Sequence, residues 1–230
     1  MSTVEQTSRF IKQHLLDLFK STGLEELLLR MNLLPVRKVI NPLLSFLYSE
    51  APEVKWKAVS AIGMVVARLA ETDLETARVI MRRLMWNLND ESGGIGWGTP
   101  EAMGEIMARH QGLAQEYAPF LISYIKPEAN FIEHDLLQRA VVWALGRLAH
   151  SLPHFVNEAI PYLIPCLKSS DPQLRGLAAW ALEPLKAVSA KEHLQILLND
   201  SSPLTLYENG QLVSLQVSDL ASRTLRALST

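Results

Sequence analysis

Apolar and small residues recur along this chain in one register: an apolar residue, a small or apolar one four positions later, and an aliphatic one four later again. The register reads Val54, Ala58, Ile62; then Leu137, Val141, Leu145; then Leu174, Ala178, Leu182; then Val217, Ala221, Leu225. A weaker copy fits Gly98, Ala102 and Ile106. Spacing by four sets each trio on one stripe of a helix, where the small members let a neighbouring helix approach closely. Successive starts lie 44, 39, 37 and 43 residues apart, a period that belongs to stacked helical pairs. Each of these helices is therefore expected to be the second of a pair, with first members over 36–48, 74–88, 114–125, 156–168 and 190–198. Short turns rich in acids and proline divide the members, as in Ser49-Glu50-Ala51-Pro52, Ser169-Ser170-Asp171-Pro172 and Asn199-Asp200-Ser201-Ser202-Pro203. Proline fits there because the first helical turn needs no donor from it.

The two ends read differently. A helix over 8–20 carries Phe10, Ile11, Leu15, Leu18 and Phe19 toward one side and is expected to cap the stack. Near the other end, Asn209-Gly210 has the composition of a two-residue type I′ turn. Pairing outward from it sets Leu206 opposite Val213 and Leu204 opposite Leu215, all four on one face of a β-hairpin expected to shield the open end of the stack. The fold class that follows is all-α: an α-solenoid, or α-α superhelix, of about five helical pairs with a C-terminal β-hairpin insertion. Residues 1–230 are expected to form a single domain, with capping helices over 1–34, repeats over 35–199 and a last repeat with its hairpin over 200–230.

Composition agrees with a packed chain: 48% of the 230 residues are hydrophobic and 20% charged, so disorder is disfavoured. A net charge of -2 supplies no global attraction for phosphate backbones. The charge is uneven, with 12 Lys+Arg against 9 Asp+Glu over 1–89 and 10 against 15 over 90–230. The single cysteine, Cys166, lies among Leu163, Ile164 and Leu167; it offers no disulfide within one chain and reads as a small buried hydrophobe. No stretch approaches the roughly 18–20 apolar residues of a membrane span, and Met1 to Phe10 has no apolar run behind a basic start. A cytoplasmic protein without membrane contact is expected.

The least repeat-like segment runs from Trp86 to Glu101 and holds four glycines between 93 and 98. Glycine allows positive φ and close backbone approach, so a shaped loop is expected, with Trp97 either packed in the groove or presented on the surface. Thr99-Pro100-Glu101 reads as N-cap, first-turn proline and first-turn acid of the next helix. The loop follows a helix and not a strand, lacks a following Lys-Ser/Thr, and sits beside Asp90, Glu91 and Glu101, which argues against nucleotide; its acids lack calcium-loop spacing. His150 and His154 stand four apart, but Pro153 between them interrupts a helix. No nucleophile elbow is evident. No metal and no small-molecule cofactor is expected.

The segments Leu137-Gln138-Arg139-Ala140-Val141-Val142-Trp143-Ala144-Leu145-Gly146 and Leu174-Arg175-Gly176-Leu177-Ala178-Ala179-Trp180-Ala181-Leu182 resemble the HEAT-like repeats of the phycobilisome-lyase type. The resemblance extends over about 35–228 and implies the fold more than a function, because such repeats serve many roles. A weaker resemblance is to the alkylpurine DNA glycosylases built from HEAT-like repeats. It sets Trp86 and Trp180 at that family's two tryptophans, Asp90 at its aspartate and Arg139 at its arginine, implying a pocket for a cationic damaged base on DNA. The glycine-rich loop and the acidic back half depart from that pattern.

The expected function is a non-catalytic scaffold whose concave face and central Gly/Trp-rich loop bind a protein partner, since stacked pairs create long concave surfaces. The anchors expected are Trp97, Trp143 and Trp180 with Arg139 and Arg175 as polar partners, flanked by Asp90 and Glu91. DNA repair or lesion binding through Trp86, Asp90, Arg139 and Trp180 is the alternative.

Overall fold

The structure, a computed structural model, describes residues 3–88 and 96–229. Two leading helices, α1 (Thr3–Ser21) and α2 (Leu24–Asn32), precede five helical pairs. The pairs are α3 (Val36–Phe46) with α4 (Pro52–Ala70), and α5 (Leu74–Leu88) with α6 (Thr99–Arg109). They continue with α7 (Gln111–Ser123) and α8 (Asp135–Ala149), α9 (Ile160–Cys166) and α10 (Pro172–Leu182), then α11 (Lys191–Ile196) and α12 (Val217–Ala227). Helices α4, α6, α8, α10 and α12 pack each on the next and form the inner row. The architecture is the expected α-solenoid.

The recurring register is the seam of that row. Ala58, Ile62, Ala102, Ile106, Val141, Leu145, Ala178, Leu182 and Ala221 are all buried, most of them fully. Glycine sets the helix separation at three successive contacts. A Cβ on Gly63 would lie 2.4 Å from Glu105 Cγ, and one on Gly104 would lie 2.7 Å from both Cα and Cβ of Ala144. One on Gly146 would lie 2.5 Å from the Trp180 ring. Basic residues near the starts of inner helices tie one unit to the next: Lys55 to Glu101 (2.6 Å), Arg139 to Asp171 (2.5 Å) and Arg175 to Asp200 (2.6 Å). Asp171 also caps α10 by accepting from Gln173 N.

Three expectations shift in detail. The outer member expected over 156–168 is two 3-10 turns followed by the short α9, because Pro161 and Pro165 remove donors that a longer helix needs. The member expected over 190–198 likewise shortens to α11 between 3-10 turns. Thr99 is not the cap of α6: Gly98 holds that position at φ 74, and Thr99 is fully buried with its hydroxyl unpartnered. A side chain at 98 would in addition press on Leu47.

At the front, Leu15, Leu18 and Phe19 of α1 are buried, whereas Phe10 is exposed. Lys57 of α4 donates to the Phe19 and Thr22 carbonyls, satisfying the end of α1. At the back, β1 (Pro203–Glu208) and β2 (Gln211–Gln216) form the antiparallel hairpin in the expected register, with Leu204 opposite Leu215 and Leu206 opposite Val213. Asn209 (φ 52) and Gly210 (φ 80) adopt the left-handed conformations of a type I′ turn. The hairpin does more than shield the open end. It runs across the inner row until Gly210 meets Leu24 of α2. Leu206 and Tyr207 point to opposite faces yet both are buried, so β1 is covered on two sides while β2 is largely exposed.

Candidate functional site

The inner row presents a line of aromatic side chains, and β1 lies on it. Trp56 of α4 stacks on Tyr207 of β1 (centroids 4.5 Å apart, 13° between planes) and tilts against Trp143 of α8 (4.6 Å). Trp143 stacks on Trp180 of α10, which stacks in turn on His150. Trp143 and Trp180 arise from equivalent positions of neighbouring repeats, which is why they align. Both are almost fully covered, at 3% and 2% exposure.

The walls hold β1 by its backbone. Gln173 at the start of α10 donates from Nε2 to the Thr205 carbonyl (2.7 Å) and accepts from the Thr205 N–H (3.1 Å). Trp143 Nε1 donates to the Tyr207 carbonyl (3.0 Å). A side-chain amide that engages both groups of one residue recognises extended backbone without regard to side chain. Glu208 accepts from Trp180 Nε1 (3.0 Å) and from Arg223 of α12 (2.8 and 3.0 Å). The Arg223 contact holds its carboxyl below the usual carboxylate range despite partial burial.

Two open chambers flank β1. The first, about 390 Å³, is bounded by Ser60, Glu105, Arg109, Arg147 and His150 and roofed by the hairpin tip. Glu105, only 3% exposed, accepts from Arg109 Nε (2.6 Å) on one oxygen and from Arg147 Nε (2.6 Å) on the other. Burial keeps the His150 imidazole below its ordinary pKa. Its Nε2 lies 3.1 Å from the Trp180 carbonyl, and because a carbonyl only accepts, the ring is held as the Nε2–H tautomer.

The second chamber, about 240 Å³, is lined by Trp56, Trp97, Leu136, Arg139, Gln173 and other residues. Trp97 meets His134 edge to face at 5.3 Å. It is placed by a packed turn in which a Cβ on Gly96 would lie 2.9 Å from the Asn87 carbonyl. Lys55 reaches over the Trp56 ring and pairs with Glu101, whose second oxygen is buried without a hydrogen-bond partner.

The sequence candidates therefore distribute as follows. Trp97, Arg139 and Trp143 line the second chamber, and Trp143 also borders the first, together with Trp180. Arg175 binds Asp200 and the Ser169 and Ser170 carbonyls, anchoring the segment that leads into the hairpin. Trp86 is 75% exposed on the outer helix α5 and borders neither chamber. Asp90 and Glu91, with Gly93 and Gly94, lie outside the described residues. Sequence reasoning missed Gln173, Tyr207, Arg109 and Arg147. The four-residue spacing of Glu105 and Arg109 suggests their pair, but nothing local links Glu105 to Arg147.

Among the described residues no cluster of His, Cys, Asp or Glu is arranged to hold a metal ion, and no described helix is long and apolar enough to cross a membrane.

A row of helical pairs with inner helices in one register defines an α-solenoid. Residues 135–185, spanning α8 to α10, match the model of the HEAT-like repeat. An uncharacterized protein of Archaeoglobus fulgidus is 22% identical over 182 residues, covering 77% of this chain and 91% of that protein. Among solved structures, a designed armadillo repeat protein in complex with the peptide (KR)4 superposes with a TM-score of 0.57. It is 18% identical, and the match covers 99% of this chain and 100% of that one. A second designed armadillo repeat protein gives a TM-score of 0.52 at 19% identity, covering 94% and 92%. These likenesses show the shared solenoid fold.

Proposed function

We propose that this chain is a non-catalytic scaffold whose inner face binds an extended segment of a protein partner, using the groove beside β1 that Trp97, Trp56, Leu136 and Arg139 line. The observation that carries the reading is that these walls already hold extended backbone, through the Gln173 fork and the Trp143 indole. The structurally similar designed armadillo protein is in complex with the peptide (KR)4, which supports a peptide ligand for this fold. Trp97 and Leu136 give the groove apolar walls, and Arg139 gives it a donor at the rim. The alternative, lesion recognition on DNA through Trp86 with Arg139 and Trp180, has less support, because Trp86 stands apart from both chambers.

The test is selection of peptides from a displayed library on the wild type, followed by titration of the selected peptides. Trp97→Ala is expected to weaken binding at least tenfold, the loss typical of a central aromatic anchor, while the thermal melt followed by circular dichroism stays close to wild type. A short duplex containing an abasic-site analogue, titrated at low salt, is the control. Lesion-preferring binding that disappears in Arg139→Ala, with no peptide selected, overturns the scaffold reading.

A further inference from the structure

The first chamber is more than the space left beneath a hairpin tip, because two guanidiniums reach it with N–H groups to spare. Arg109 and Arg147 reach it from α6 and α8, and both are oriented by the one buried carboxylate of Glu105. Arg109 spends Nε and Nη2 on Glu105; Arg147 spends Nε on Glu105 and Nη1 on Ser151. Arg109 Nη1 and Arg147 Nη2 have no partner among the described residues. The other carboxylate on the wall, Glu208, accepts from Arg223, which also pairs with Glu183. Two guanidiniums and two carboxylates line the cleft, so its attraction for an anion rests on the unspent N–H groups and not on a net charge.

A further donor faces the same space. Ser60 Oγ and Tyr207 OH share one hydrogen bond at 2.8 Å. Two hydroxyls carry two hydrogens and that bond uses one, so one remains to be donated. The free donors thus come from α6, α8 and the α4/β1 contact, three parts of the wall of one chamber. A carboxylate is planar and is served by one guanidinium fork, whereas donors from three parts of a wall match a tetrahedral oxyanion. The chamber's 390 Å³ exceeds what a phosphate group alone fills, leaving room for an organic part against Tyr207 and the edge of Trp143.

We infer that this chamber is a binding site for a phosphate monoester, its phosphoryl oxygens held by the free N–H groups of Arg109 and Arg147 and by the spare hydroxyl of the Ser60/Tyr207 pair. Glu105 is a positioning residue: it fixes both guanidiniums before the ligand arrives, which lowers the ordering cost of binding. The site stands apart from the peptide-binding reading, which rests on the other side of β1, and either can fail without the other.

Isothermal titration of the full chain with phenyl phosphate, inorganic phosphate and benzoate at low salt tests it. Phenyl phosphate is expected to bind saturably and more tightly than inorganic phosphate, with benzoate weakest. Tyr207→Phe and Arg147→Lys, the latter keeping a cation against Glu105, are each expected to weaken phenyl phosphate binding about tenfold, the cost of a lost charge-assisted or buried hydrogen bond. Tyr207→Phe removes a single oxygen and retains the stack on Trp56, so its melt reports whether the fold is kept. The inference is overturned if phenyl phosphate shows no saturable binding up to roughly 10 mM, an affinity range below any specific site. It is equally overturned if benzoate binds as tightly as phenyl phosphate, or if neither variant changes the affinity.

Discussion

Replacing Gly104 by alanine tests the claim that glycine sets the spacing of the inner row. The new Cβ would lie 2.7 Å from Cα and Cβ of Ala144 and 2.8 Å from its carbonyl oxygen, whereas carbon contacts are comfortable at about 3.5–4.0 Å. The obstacle is backbone, which cannot swing aside as a side-chain end does, so α6 and α8 must separate by most of an ångström. Forcing a group into a packed core costs about 1–3 kcal/mol. Alanine in place of glycine within a helix recovers about 1 kcal/mol. Backbone resistance on the Ala144 side puts the cost toward the upper end, for a net loss of about 1–2 kcal/mol, or a fall in Tm of about 2–8 °C for a chain of this size. Thermal melts followed by circular dichroism measure it, with Gly112→Ala in α7 for comparison, since a Cβ there meets only the His110 ring. Glu105 follows Gly104 and bridges to Arg147 on α8, so the same variant should also weaken anion binding in the first chamber. A Gly104→Ala protein that melts at or above the wild type refutes the spacing argument.

Gln173→Ala removes the oxygen that accepts from the Thr205 amide; a net loss of about 1 kcal/mol should speed hydrogen exchange at that amide about fivefold, and unchanged protection would show that the fork does not hold β1. Burial lowers the His150 pKa from 6.5, so the unfolded chain takes up that proton first. Its contribution to stability is complete above pH 6.5 and is lost as the pH falls below that value. His150→Gln should therefore lose less Tm than the wild type between pH 7 and 5, and equal slopes would refute it. Burial also pushes the Cys166 thiol up to about 11, so its alkylation by iodoacetamide should climb about tenfold per pH unit well beyond the point, near 8.5, where an ordinary thiol levels off. A plateau near pH 9 would contradict that burial.

Much of the frame was legible from the chain because its causes are local. Val54, Leu137, Leu174 and Val217 each open a stripe of period four, and the structure buries the stripes as one seam. Asn209-Gly210 named its own turn, since few other pairs accept two left-handed residues in succession, and the cross-strand register followed by counting. The outer members α9 and α11 were harder. Their apolar content reads as helix, but Pro161 and Pro165 break the donor ladder at α9, where the segment opens with 3-10 turns, and α11 is likewise flanked by 3-10 turns although no proline interrupts it. Tyr207 was missed for a related reason: alternation along a strand predicts one buried face, and β1 has two because Trp56 and Trp143 cover the second.

The sequence by itself determined that this chain stacks helical pairs, where the inner helices lie and how the hairpin pairs, because helical period, turn chemistry and small-residue spacing act within a few residues. Only the tertiary structure decided where the hairpin lies and which charges meet. The Gln173 fork on Thr205 spans 32 residues and the Arg147–Glu105 pair spans 42, separations over which no local pattern constrains a partner. Those contacts depend on how each repeat turns relative to the last, and that rotation is set by packing at Gly63, Gly104 and Gly146. The inner face and its two chambers are the sum of those small rotations.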